Sequence, residues 1–154
     1  MASISQRLAR TCRSGRFEVS VDRAFDDVVT ACATSQDRLW ATWITPSLRA
    51  AYTRLHDLGL AHSVEAWRDG QLAGGVYGVA LGGFFAGESM FYHERDASKV
   101  ALAHLVERLK GRGFTLFDVQ QVNPHTESLG ALEIRRGDYM QRLRKALQAN
   151  VSFE

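Results

Sequence analysis

Residues 114–134, FTLFDVQQVNPHTESLGALEI, begin as an apolar strand and continue with Asp118, Gln120, Gln121, Asn123, His125, Thr126, Glu127 and Ser128 almost without an apolar break. Asp118 and Gln120 stand two apart, which on one strand points both side chains to the same face. An aspartate placed there can orient or accept a proton, and a glutamine can hold a carbonyl or an amine. Upstream, GESMF puts Glu88 directly after Gly87 at the end of an apolar run. A carboxylate in such surroundings needs a cation or a ligand amine for company. Taken singly, D-x-Q is a weak pattern, and a structural ion pair accounts for Glu88 equally well. Asn123, His125 and Ser128 are expected to brace the loop rather than to react.

Several chemistries are excluded by what the chain lacks. There is no G-x-x-x-x-G-K-[ST] phosphate loop and no G-x-G-x-x-G after a strand. GESMF is not a nucleophile elbow, because the second glycine is absent and the serine is not central. The five histidines have no ligand spacing, and the two cysteines, Cys12 and Cys32, make neither a disulfide framework nor a metal set. No metal is therefore expected. No run of roughly 18 apolar residues is present, so no membrane span is expected. The basic N-terminus has no apolar core of a secretory signal, and a cytoplasmic protein is the expectation.

The elements that must carry these residues can be read from their punctuation. FEVSV (17–21) alternates as a short strand, and Asp22 is expected to cap a helix over residues 24–33. Thr45 as cap, Pro46 at the first helical position and Gly59 beyond the end frame a second helix, with Leu48, Ala51, Tyr52, Leu55 and Leu58 as its apolar stripe. HSVEAWR (62–68) is a strand, Asp69-Gly70 a hairpin turn, and residues 72–92 two strands meeting near Gly82-Gly83. A helix follows over about 97–110, then the strand FTLFDVQ, the polar loop and a last helix, GDYMQRLRKAL. A strand meander followed by a strand–helix–strand crossover predicts an α/β (α+β) protein with one mixed sheet and packed helices. With 154 residues and 45% hydrophobic content, one domain is expected, over 17–150, preceded by a loosely held basic segment, 1–16.

Net charge is only +2, but it is unevenly spread. Residues 1–16 hold Arg7, Arg10, Arg13 and Arg16 with no acid, and 135–145 hold Arg135, Arg136, Arg142, Arg144 and Lys145 against Asp138 alone. Two basic ends could meet a polyanion.

The sheet layout resembles the acetyltransferase (GNAT-like) architecture. The glycine loop that cradles the pyrophosphate of an acyl-CoA is missing, however: the chain has YHERDASKVAL at that place. The motifs TWIT (42–45), HSVEAWRDG (62–70), GGVYGVALG (74–82), GESMF (87–91), ASKVAL (97–102), DVQ (118–120) and N-x-H-T-x-SLGA-x-EI-x-R-x-x-Y resemble the leucyl/phenylalanyl-tRNA–protein transferases. That family moves an amino acid from aminoacyl-tRNA to the N-terminal amine of a protein, usually one starting with Arg or Lys, as in N-end-rule tagging. The resemblance implies that Glu88 contacts the donor amino group and that Asp118 and Gln120 are the catalytic pair. It also implies an apolar donor pocket at Trp43, Val76, Phe85, Leu102, Leu109 and Phe117, each of which reads equally as core. Arg13, Arg16, Arg135 and Arg136 are then candidate tRNA contacts. The donor ester is already activated, so no cofactor is expected.

The resemblance implies a preceding N-terminal domain in the family, in whose place this chain is expected to carry only its basic lead. That difference leaves the acceptor open between a protein N-terminus and a small peptide or metabolite amine, as in antibiotic biosynthesis, with a lean to the latter. A non-catalytic tRNA- or peptide-binding relative is the remaining alternative.

Overall fold

The computed structural model describes residues 5–34, 44–120, 122 and 124–154. The elements follow in the order α1 (Gln6–Arg13), β1 (Glu18–Val21), α2 (Phe25–Thr34), α3 (Pro46–Asp57), β2 (Ala61–Arg68), β3 (Gln71–Leu81) and β4 (Phe84–Tyr92). They continue with α4 (Ala97–Gly111), β5 (Leu116–Asp118), α5 (Pro124–Ser128) and α6 (Arg136–Leu147). The strands form one sheet in the order β1-β2-β3-β4-β5. The first three pairings are antiparallel, while β5 lies parallel to β4. Helix α4 makes the crossover that a parallel pair requires. This is the mixed sheet with packed helices expected from the sequence.

Strand alternation divides the core in two. Val64, Ala66, Val76 and Phe85 pack with Val100, Leu102, Leu105 and Leu109 of α4 on one face. Ala61, Tyr77 and Phe91 pack with Phe25, Val28, Val29 and Cys32 of α2 and Tyr52 of α3 on the other. The β2–β3 turn has the geometry expected of Asp-Gly, with φ of 51° at Asp69 and 77° at Gly70. Helix α3 starts as expected: the Thr45 side chain accepts from Leu48 N and Pro46 is the first helical residue.

Several elements differ from the sequence reading. Residues 1–16, expected to be loosely held, contain α1, which is capped by Ser5 and buries Leu8 against the α4 face. Asp22 does not cap α2. It accepts instead from Ser63 N at 2.9 Å and hydrogen-bonds His62 Nδ1 at 2.7 Å, pinning β1 to β2. Leu58, placed on the buried stripe of α3, is exposed, because the helix ends one residue earlier. The polar loop after β5 contains the short helix α5.

Candidate active site

Glu88 owes its position to a break in the β3–β4 ladder. Tyr77 pairs with Ser89 and Gly78 with Gly87, so Glu88 has no partner on β3 and forms a bulge. In a regular strand consecutive side chains face opposite sides. Here Ser89 stands opposite Tyr77, which packs with α2 and α3, and Glu88 Oε2 accepts from the Tyr52 hydroxyl on α3 at 3.1 Å. Both residues therefore reach the α2–α3 side. Gly78 makes the bulge possible: a Cβ there would stand 2.2 Å from Ala86 O.

Asp118 and Gln120 come together by a different route from the one read in the sequence. They do not share a strand, because β5 ends at Asp118. Gln120 has a φ of 64°, which turns the chain back so that its N–H donates to Asp118 Oδ1 at 2.7 Å. This is the local side-chain-to-backbone bond by which aspartates make turns. The β4–β5 ladder also stops there, at Ala86 opposite Asp118. Beyond it the Gln120 carboxamide takes over, donating from Nε2 to Gly87 O at 2.8 Å. The glutamine thus spans the point where the two parallel strands part.

These contacts bring the three residues singled out by sequence to one place: Gln120 bonds Asp118 and the carbonyl of Gly87, next to Glu88. Burial raises the Glu88 carboxyl above the ordinary range; hydrogen bonds from Tyr52 and Gln120 pull it back, and the charge of Asp118 pushes it up again. Asp118 Oδ2 accepts from the Tyr139 hydroxyl of α6 at 2.7 Å. Hydrogen bonds run from Tyr52 to Glu88 on β4 and from Gly87, its neighbour, through Gln120 and Asp118 to Tyr139, from one helix across the sheet edge to another. Behind them, the buried hydroxyl of Tyr77 has no hydrogen-bond partner among the described residues.

The two flanking tyrosines were not given site roles from the sequence. Tyr52 looked like one more apolar position on α3. Tyr139 lay at the end of the EI-x-R-x-x-Y motif with nothing to show what its hydroxyl meets.

A cavity of about 680 Å³ opens beside this network. Asp118 and Gln120 line it together with Leu102, Leu109 and Phe117. Three of the expected pocket residues are therefore wall residues. Val76 and Phe85 are not; both lie in the core beneath α4, and Phe85 backs Phe117 with ring centroids 5.7 Å apart. Trp43 and Asn123 lie outside the described residues, as does the side chain of His125. Ser128 ends α5 in an exposed position, and that helix lines the cavity through Thr126. Leu129, buried in the α4 cluster, anchors the segment to the core.

Of the candidate polyanion contacts, Arg13, Arg135 and Arg136 are exposed. Arg16 is partly engaged, 3.8 Å from Asp96 and stacked on Phe17. One group among the described residues could offer three metal ligands, Asp22, His62 and Glu154, and it includes no residue of the network. No helix among the described residues is long and apolar enough to cross a membrane.

Known proteins resemble this chain in sequence and in fold. The model of the family described as "Leucyl/phenylalanyl-tRNA protein transferase" matches residues 1–144. Curated proteins of the name "Leucyl/phenylalanyl-tRNA--protein transferase" are similar along nearly the whole chain. The one from Ruegeria pomeroyi is 52% identical over 150 residues, covering 97% of this chain and 70% of the relative. That from Rhizorhabdus wittichii is 54% identical over 144 residues, 94% of this chain and 58% of the relative. That from Chlorobaculum parvum is 50% identical over 149 residues, 97% of this chain and 77% of the relative. Among solved structures, a probable acetyltransferase is similar with a TM-score of 0.59 at 12% identity, over 78% of this chain and 91% of that one. A GNAT family acetyltransferase from Staphylococcus aureus is similar with a TM-score of 0.54 at 11% identity, over 79% of this chain and 96% of that one. At such identities the likeness is one of fold alone, and the fold is acetyltransferase-like.

Proposed function

The chain belongs to the leucyl/phenylalanyl-tRNA protein transferase family, and from that membership we propose that it transfers an aminoacyl group from charged tRNA to the α-amine of a protein N-terminus. The observation that carries the reading is that Asp118 and Gln120, bonded to each other, line an apolar-walled cavity while Gln120 also holds the carbonyl of Gly87, the residue next to Glu88. The donor's ammonium group sits against Glu88, and its side chain enters the cavity between Leu102, Leu109 and Phe117. The half-buried carboxylate suits a cationic ligand, since a nearby positive charge favours its ionised form and offsets the burial that raises its pKa.

The acceptor amine meets the ester carbonyl beside Asp118. Free α-amines have pKa values near 7.7–8.0, so an appreciable fraction is already neutral at physiological pH. The nitrogen attacks the carbonyl carbon and a C–N bond forms. The ester C–O bond then breaks, and the terminal ribose hydroxyl of the tRNA leaves with a proton. A carboxamide does not take up a proton under these conditions, so removal of the amine proton falls to Asp118. Gln120, whose Nε2 donates to Gly87 O, keeps a carbonyl oxygen to align the attacking N–H. The ester is activated in advance, and the reaction written this way needs neither ATP nor a metal.

The relatives' names specify a protein acceptor. Nothing observed favours a small peptide or metabolite amine, or an antibiotic pathway, over it. The direct test uses labelled Leu-tRNA and Phe-tRNA with a protein that starts with Arg. Label is expected to move to the protein with wild type and not with Asp118→Ala. Undiminished transfer by a folded Asp118→Ala variant would remove the proposed mechanism.

A further inference from the structure

Helix α6 touches the sheet at two places. At its C-terminal end Ala146 is fully buried, and its carbonyl accepts from Gly83 N at 2.7 Å. The fit is close, since a Cβ on Gly82 would stand 2.6 Å from Leu147 O. At its N-terminal end the Tyr139 hydroxyl donates to Asp118 Oδ2. Tyr139, Leu143 and Ala146, spaced four and three apart, make the inward stripe of the helix. Arg136, Arg142, Arg144 and Lys145 are exposed. The helix is a strap with one backbone anchor and one side-chain anchor, and the side-chain anchor falls on the carboxylate assigned to proton removal.

Asp118 is thereby gripped through both oxygens. Oδ1 takes the Gln120 N–H and Oδ2 the Tyr139 hydroxyl, each at 2.7 Å. Hydrogen bonds to an ionised acceptor are short and strong, and two from different directions fix the rotation of the carboxylate plane. Its remaining lone pairs then point in set directions, as pre-organisation of a general base requires.

We propose that Tyr139 is a positioning residue of the transfer reaction, holding the Asp118 carboxylate in the orientation that receives the acceptor's proton. The inference rests on the aminoacyl-transfer reading given above. Tyr139 remains a hydrogen-bond donor throughout the working range, because burial first, and the bond and charge of Asp118 after it, push its hydroxyl up to about 12. The backbone anchor at Ala146 leaves α6 attached when that hydroxyl is removed, so a positioning role is separable from a structural one.

The test is Tyr139→Phe, which keeps the ring and deletes only the donor, measured alone and combined with Asp118→Asn. Thermal melting of each variant checks that the fold is retained. For Tyr139→Phe, kcat is expected to fall about tenfold or more, the scale of one charge-assisted hydrogen bond. KM for aminoacyl-tRNA should stay within about twofold. In the residual single-turnover rate, the double variant should be no slower than Asp118→Asn alone, since a residue acting through Asp118 has nothing to position once the carboxylate is gone. A Tyr139→Phe enzyme with wild-type kcat overturns the proposal. So does a further loss in the double variant, or a rise in KM with kcat unchanged, which would make Tyr139 a binding or structural residue. A wild-type protein that transfers nothing would instead remove the reaction itself, and with it any role in positioning.

Discussion

Replacing Tyr52 by Phe tests whether Glu88 is held for a ligand amine. The hydroxyl lies 3.1 Å from Glu88 Oε2, and the ring packs edge-on against Tyr77 with centroids 5.1 Å apart. Phenylalanine keeps that packing and removes one donor. A hydrogen bond to a charged group contributes about 1.5–3 kcal/mol net. This one is long and its acceptor is half-buried, so the low end, about 1.5 kcal/mol, is the relevant figure. If the bond is felt in full at the transition state, kcat/KM falls about tenfold.

The pH dependence supplies an independent sign. Burial is the main cause that raises the Glu88 carboxyl, and the bond from Tyr52 is the first of those that lower it. Deleting that bond raises the carboxyl further. The acid limb of kcat/KM against pH then moves to higher pH in Tyr52→Phe, and the deficit is greatest at the acid end. Stability runs the opposite way. Folded Glu88 binds its proton more tightly than the unfolded chain does, so its contribution is full below the ordinary carboxylate range. That contribution is lost as pH rises through the raised value, and the variant enlarges the loss. The assay is initial transfer rate at limiting aminoacyl-tRNA from mildly acidic to neutral pH. Superimposable profiles with unchanged kcat/KM would refute the coupling of Tyr52 to a functional Glu88.

Two further perturbations probe the scaffold and the charged surface. Gly78→Ala would place a Cβ 2.2 Å from Ala86 O and 2.5 Å from a carbon of the Phe85 ring, forcing the ladder open beside the Glu88 bulge. A destabilisation of about 3 kcal/mol or more is expected, lowering the melting midpoint by roughly 10 °C; a shift within experimental error would contradict the described register. Arg135→Glu with Arg136→Glu should weaken tRNA binding and reduce the slope of log K against log salt by about 2, if each arginine contacts one phosphate. An unchanged slope would make both side chains plain surface.

Much of this architecture was legible because its signals are local. Asp69-Gly70 dictates its turn, Thr45-Pro46 starts α3, and the stripe of α4 declares a helix with a buried face. The parallel placement of β5 follows from the intervening helix. What escaped the sequence reading depends on long-range meetings. A strand period predicts that Asp118 and Gln120 share a face, but the positive φ at Gln120 breaks the strand and reunites them through a turn. The Glu88 bulge arises from a register shift opposite Gly78, and register is a property of two strands at once. The hydroxyls of Tyr52 and Tyr139 find their carboxylates across 36 and 21 residues of sequence. Asp22, beside a helix start, looked like its cap, but the backbone of β2 claimed it first. Residues that matched the pocket pattern divided into wall (Leu102, Leu109, Phe117) and support (Val76, Phe85), a distinction that periodicity cannot make because both kinds are apolar and buried.

The central claim, that Glu88, Gln120 and Asp118 form one reaction centre, is tested most directly by a structure of the protein with an amide-linked, non-hydrolysable aminoacyl-adenosine. The account predicts the ligand's ammonium within hydrogen-bond distance of Glu88. Its side chain should lie among Leu102, Leu109 and Phe117, and its carbonyl carbon beside Asp118 and Gln120. An ammonium group seated away from Glu88, or a ligand bound outside this cavity, would contradict it.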